Sequence, residues 1–112
     1  RTILGSIHDI KEIDSESIEM VFTHTVLMHI PFSSVVEIAA ELARISSKYI
    51  LHVENKNDVK SCVYPTNLYK TYNNLMIDYR KLYDELGFET LFYEEELLQD
   101  NSHVVTYLGK RI

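Results

Sequence analysis

Between Ile18 and Glu54 the hydrophobic residues change their period twice, and this alternation restricts the architecture more than any other feature of the chain. Ile18-Glu19-Met20-Val21-Phe22-Thr23 is nearly continuous in apolar and β-branched residues, the pattern of a strand covered on both faces in a parallel sheet. Pro31 blocks a helix through His29-Ile30. Ser34, with Glu37 three residues later, has the capping-box spacing, so a helix is expected to open at Ser34. Val35, Ile38, Leu42 and Ile45 then fall on one stripe, with Glu37, Glu41 and Arg44 off it. Lys48 to Glu54 reads again as a strand, bounded by the polar run Asn55-Lys56-Asn57-Asp58. Strand, helix and strand in this order predict a parallel pair joined by a right-handed crossover, hence an α/β fold.

The flanking segments extend this unit. Thr2-Ile3-Leu4 ends at Gly5 and reads as the tail of a strand, and the polar stretch from Lys11 to Ser17 reads as a surface loop. After a loop holding Cys62 and Pro65, the residues Leu68, Tyr72, Leu75, Tyr79, Leu82 and Leu86 keep helical spacing, and Gly87 sits where a C-cap glycine would. A second helix is expected over residues 67–86. Phe88 to Glu94 and His103 to Leu108 are β-rich runs separated by the turn residues Gln99-Asp100-Asn101-Ser102, which predicts an antiparallel hairpin. No repeat, linker or low-complexity tract divides residues 1–112, so one domain is expected.

Composition narrows the function. At 46% hydrophobic residues, one packed core is within reach, and 11 Lys and Arg against 17 Asp and Glu give a formal charge of −6 that disfavours a nucleic-acid partner. The single Cys62 has no disulfide or metal-sharing thiol partner, which points to a reducing compartment, the cytoplasm. No apolar run approaches the ~20 residues of a membrane span, so no membrane association is expected. Arg1-Thr2-Ile3-Leu4 is neither an export signal nor an initiator start, and reads as a cut. The three glycines, Gly5, Gly87 and Gly109, make neither G-x-G-x-x-G nor G-x-x-x-x-G-K-[ST], so these residues alone contain no phosphate or nucleotide cradle.

In a sheet of this kind the ligand crevice lies at the strand C-terminal ends, which selects Thr23-His24-Thr25 and Glu54-Asn55. His24 and His29 place two imidazoles five residues apart beside two hydroxyls, suited to a general base, a proton shuttle or substrate hydrogen bonds. The plainer alternative is that each satisfies a loop carbonyl or packs on the following helix. His8, His24, His29, His52 and His103 show no metal-ligand spacing, and no metal is expected. Cys62 has no flanking signal of an activated thiol and reads as a packed side chain. Glu94-Glu95-Glu96 reads as a solvated run, because neighbours on a strand point to opposite faces. Tyr72, Tyr79 and Tyr83 read as a packed helix face with hydroxyls reaching water.

Several segments in order, Gly5-Ser6-Ile7-His8-Asp9-Ile10, Ile18 to Thr23, Val26-Leu27-Met28-His29-Ile30, and Glu41 to Leu51, together resemble the class I S-adenosylmethionine-dependent methyltransferases. They match that family's Gly-Asp-Ala-x-Asp-Leu segment, its Phe-Asp-x-Val strand with a Val-Leu-x-His-Ile loop, and the helix leading into its fifth strand. The remaining helix and hairpin correspond to its last helix and its sixth and seventh strands. The resemblance implies the C-terminal half of a Rossmann-like methyltransferase sheet, an incomplete domain whose glycine-rich cofactor loop lies upstream of Arg1. It implies adenine against Ser6 and Ile7, and the methionine part of S-adenosylmethionine along the backbone at Thr23 and His24. Ser6 and Glu19 each stand where the family usually has Asp.

In this reading His24 or His29 is the base or orienting group, and Thr25 and Glu54 lie on the acceptor side, with a small-molecule methyl acceptor favoured by the acidic charge. The competing class is a non-catalytic α/β module binding a protein partner through an exposed sheet edge. A small hydrolase using Cys62 or a histidine lacks a nucleophile elbow and ranks last. Because the family's fourth strand borders its first, Ile18 to Thr23 would be an open apolar edge here, and these residues alone are expected to form a homo-oligomer, a dimer or larger.

Overall fold

The computed structural model describes residues 5–27, 30, 32–56, 78–99 and 103–112. Thr2-Ile3-Leu4, His29, Cys62, Pro65 and the first part of the expected second helix, with Leu68, Tyr72 and Leu75, lie outside them. Four strands, β1 (Ile18–His24), β2 (Ser46–Lys56), β3 (Phe88–Leu97) and β4 (His103–Arg111), form one sheet in the order β1-β2-β4-β3. β1 and β2 are parallel, with Val21 opposite Ile50 and Thr23 opposite His52. β4 runs antiparallel to both β2 and β3. The α/β reading, the parallel pair and the terminal hairpin are therefore those observed.

The crossover helix α1 (Phe32–Ile45) buries Val35, Ile38, Leu42 and Ile45, the expected stripe, together with Ala39 and Ala43. It begins two residues ahead of Ser34, which lies inside the first turn and not at the cap. A proline restricts the residue before it far more than those after it, so the chain is free to turn helical immediately beyond Pro31. The expected loop from Lys11 is also partly ordered otherwise, since Lys11 and Glu12 close a 3-10 helix over Ile7–Glu12. Its start is a reciprocal cap: the Ser6 hydroxyl accepts from His8 N–H at 3.2 Å, and the Asp9 carboxylate accepts from Ser6 N–H at 3.0 Å.

A continuous helix through residue 78 is likewise corrected. Asp78 is extended (φ −87°, ψ 100°), and its side chain accepts the Arg80 N–H at 3.1 Å, so α2 (Tyr79–Glu85) opens directly after it. The Arg80 guanidinium bonded to Asp78 holds that carboxyl below its usual range. Gly87 takes φ +90° just past the end of α2, the left-handed position that favours glycine.

Two arginines lock the layers. Arg44 of α1 donates to the Ile13 and Ile10 carbonyls at 2.8 and 3.1 Å and so pins the 3-10 segment to the helix. Arg111 of β4 donates to Ser46 O at 2.8 Å and to Ala43 O, binding carbonyls at the C-terminal end of α1 where a cation also meets the helix dipole favourably.

Both helices cover one sheet face. Val21 and Ile50 pack with α1, and His52, Tyr107 and Phe88 pack with Tyr79 and Tyr83 of α2 in a single core. β1 is thus not covered on both faces by the described residues: Phe22 is 68% and Met20 43% exposed. In register across the same open face run Phe22, Leu51, Leu108 and Phe92. Among the described residues no helix is long and apolar enough to cross a membrane.

Candidate functional site

The parallel pair delivers two strand ends side by side, with His24 opposite Val53. Immediately after β1 the chain bends at Thr25, whose φ of +55° lies in the left-handed region, an uncommon and costly state for a β-branched residue. The bend is held by the Thr25 N–H, which donates to Val53 O at 2.9 Å. It turns the next two amides inward, and both meet one side chain. Glu54 accepts from Leu27 N–H at 2.9 Å on Oε1 and from Val26 N–H at 3.3 Å on Oε2.

Glu54 is 2% exposed, and its Oε2 also accepts the Thr23 hydroxyl at 2.7 Å. The chain of contacts continues inward. Thr23 Oγ1 lies 2.6 Å from His52 Nδ1, and His52 Nε2 lies 2.5 Å from the Tyr83 hydroxyl. Proton counting fixes the directions. Thr23 has one hydroxyl proton and gives it to Glu54, so it must accept from His52 Nδ1–H. Burial of the imidazole lowers its pKa to about 3, so the neutral ring has no second proton and Nε2 accepts from Tyr83 O–H. Burial, reinforced by the neighbouring tyrosines and Glu54, pushes the Tyr83 hydroxyl well above its ordinary value and keeps it a donor.

The ring of His52 is enclosed by aromatic faces, with Tyr79, Tyr83 and Tyr107 centroids at 5.0, 5.3 and 6.4 Å. Tyr79 and Tyr83 are core residues as expected, but the Tyr83 hydroxyl meets His52 and not water, because the helix turns it toward β2. The sequence singled out neither His52 nor Tyr83 for this role. The available signal was the alternation Ile50, His52, Glu54, which places an imidazole and a carboxylate on the same inward face as the isoleucine.

The other site residues fall into two places. Thr23 and His24 occupy the end of β1, with the Thr23 side chain buried and that of His24 exposed, and Thr25 follows half-buried. Ser6 and Ile7 stand at the start of the 3-10 helix. A cleft of about 220 Å³ between that helix and α1 is lined by Ile7, Ile10 and Ile38 together with the polar and charged His8, Lys11, Ser34, Glu37 and Glu41. The Ser6 hydroxyl is engaged by the backbone amides of this cap. Glu94, Glu95 and Glu96 lie exposed along β3, where Glu95 accepts the Tyr93 hydroxyl at 2.7 Å. No group of three His, Cys, Asp or Glu side chains converges among the described residues.

The sequence matches no protein-family model and no curated protein. Its fold does match solved structures. The magnesium protoporphyrin IX methyltransferase of Synechocystis PCC 6803, solved with S-adenosylhomocysteine bound, superposes with a TM-score of 0.63 at 16% identity over 93% of this chain and 49% of that one. A protein of Galdieria sulphuraria named as a sarcosine dimethylglycine methyltransferase gives 0.65 at 11% identity, covering 96% and 57%. A chain from the complex of the Haloferax volcanii Trm112 methyltransferase activator with a methyltransferase gives 0.60 at 13% identity, covering 96% and 59%. The present chain thus has the fold of part of a Rossmann-like methyltransferase and spans about half the length of the structures it matches.

Proposed function

We propose that residues 1–112 are the C-terminal part of an S-adenosylmethionine-dependent methyltransferase domain acting on a small-molecule acceptor. The observation that carries this reading is the fold match, supported by the strained Thr25 bend directly after the C-terminal end of β1, the end at which a parallel sheet collects ligands. The likeness to methyltransferase structures favours it over a non-catalytic interaction module.

S-adenosylmethionine supplies a methyl group on a sulfonium, which transfers in line to a nucleophile without a covalent enzyme intermediate. What this chain must provide is therefore position and proton acceptance. Ser6 and Ile7 stand at the adenine end, with Ile7 offering apolar contact. The backbone of Thr23 and His24 flanks the methionine part. Thr25 borders the acceptor, and the exposed imidazole of His24, or that of His29, receives the proton the nucleophile loses.

Because the family's glycine-rich loop is not among these residues, the 112-residue chain binds cofactor weakly. Calorimetric titration with S-adenosylhomocysteine should give a Kd above 1 µM, short of about −8.2 kcal/mol. At millimolar concentration the same ligand should shift the amide resonances of Ser6, Ile7, Thr23 and His24. Unmoved resonances at those four positions would refute the placement.

A further inference from the structure

The proposed function above gives no task to the deep side chains of Glu54, Thr23, His52 and Tyr83. All are buried, none is an ordinary core residue, and each has its hydrogen-bonding atoms spent on the next. Burying a carboxylate, an imidazole and two hydroxyls is costly unless every one is satisfied, and here the satisfaction runs in one direction from α2 to the loop after β1. Tyr83 O–H donates to His52, His52 to Thr23, Thr23 to Glu54, and Glu54 receives the Val26 and Leu27 amides. The residues come from three elements, with sequence separations of 27 to 31, so no local segment can impose this arrangement alone.

We infer that Glu54, His52 and Thr23 are positioning residues, which with Tyr83 link α2 to the Thr25–Leu27 bend and hold that bend in its strained conformation for ligand binding. The clause on ligand binding rests on the methyltransferase reading above; the link itself does not. In this assignment Glu54 serves the acceptor side indirectly. Its carboxylate is occupied by the loop, so it sets where Thr25 stands instead of touching the acceptor. The left-handed Thr25 is the element under load: its backbone state is held because both amides that follow it are bound to a fixed carboxylate.

The test reads the loop directly. Amide hydrogen exchange is measured at Val26 and Leu27 and, as reference, at Leu108 of β4, in the unaltered chain and in Tyr83→Phe and Glu54→Gln. Tyr83→Phe keeps the ring that packs on Tyr107 and Phe88 and removes only the first donor of the chain. It should accelerate Val26 and Leu27 relative to Leu108 by about threefold, and Glu54→Gln by about tenfold or more, as expected for a neutral and a charge-assisted hydrogen bond. Tyr83→Phe exchanging at the unaltered ratio would overturn the link, as would an equal acceleration at all three amides. S-adenosylhomocysteine, titrated in parallel, should lose affinity in Tyr83→Phe by a similar factor. If the exchange ratio moves and affinity does not, the positioning role is overturned while the link stands. If the unaltered chain shows no response to the ligand at all, the methyltransferase reading fails, and the exchange ratio alone decides the link.

Discussion

Replacing His52 by Gln should flatten the acid side of the stability curve. His52 is fully buried and its pKa is lowered to about 3 by loss of solvation, against 6.5 in an unfolded chain. Below pH 6.5 the unfolded chain therefore binds a proton that the folded one refuses. The stabilisation from keeping this ring neutral is complete above pH 6.5 and is lost progressively as pH falls toward 3. At ~1.36 kcal/mol per pH unit for one proton, the loss relative to neutral pH is about 2 kcal/mol at pH 5 and about 3 kcal/mol at pH 4. Against a domain stability of roughly 5–15 kcal/mol this is large. Urea unfolding at half-unit steps from pH 7 to pH 4 gives the free energy for the unaltered chain and for His52→Gln. Other titrating groups act in both, so their difference isolates the histidine. The difference should shrink by about 3 kcal/mol across the range. A difference that stays constant within ~0.5 kcal/mol, or a His52 ring resonance titrating near 6.5, would refute the buried neutral imidazole and the donor directions drawn from it.

Thr25→Asn should leave the fold intact and raise stability by up to about 1 kcal/mol in urea unfolding, since Asn tolerates the left-handed state that a β-branched residue resists; a clear loss would show that Thr25 is not strained. Gly109→Ala should cost about 1–3 kcal/mol, because a Cβ there runs into the Tyr107 hydroxyl in the core, and thermal unfolding at an unchanged midpoint would contradict that packing. The open face and edge of β1 predict association of the 112-residue chain: sedimentation at micromolar concentration should show a dimer or larger, whereas a single species near 13.1 kDa would mean that Met20 and Phe22 need no cover.

Legibility in the sequence follows the range of the interaction. The stripe Val35, Ile38, Leu42, Ile45 and the glycine after α2 are local signals and were readable at once. Ser6 with Asp9 is equally local, but the polar residues that follow overshadow it, so Lys11 and Glu12, the end of the 3-10 helix, read as loop. Asp78 is a capping residue inside a helical periodicity: the spacing of Tyr79, Leu82 and Leu86 carried the reading across a point where a side-chain oxygen competes for the backbone. The site divides in the same way. Strand-end residues Thr23, His24, Thr25 and Glu54 were selected by topology, but the direction each side chain faces depends on register, and nothing local joins Tyr83 to His52 across 31 residues. Exposure of Phe22 was hidden for a related reason, since an apolar run shows that a strand could be covered on both sides and not what covers it.

The strand order has a consequence for how the molecule is assembled. β4 comes last of the four strands in the chain yet sits between β2 and β3, and Arg111 near its end supplies partners for carbonyls at the end of α1. Until β4 docks, β2 therefore has β1 on one side and a bare edge on the other, and the α1 terminus keeps unsatisfied acceptors. The β3–β4 hairpin closes through near neighbours, whereas its docking on β2 joins Tyr49 to Lys110 and Lys56 to His103 over long stretches of chain. Long loops close slowly, so the hairpin is expected to form first and then add to the free edge of β2 through β4. A nascent chain paused before β4 would hold an apolar strand with a bare edge, the species most exposed to capture by another copy and the one a chaperone would have most reason to shield.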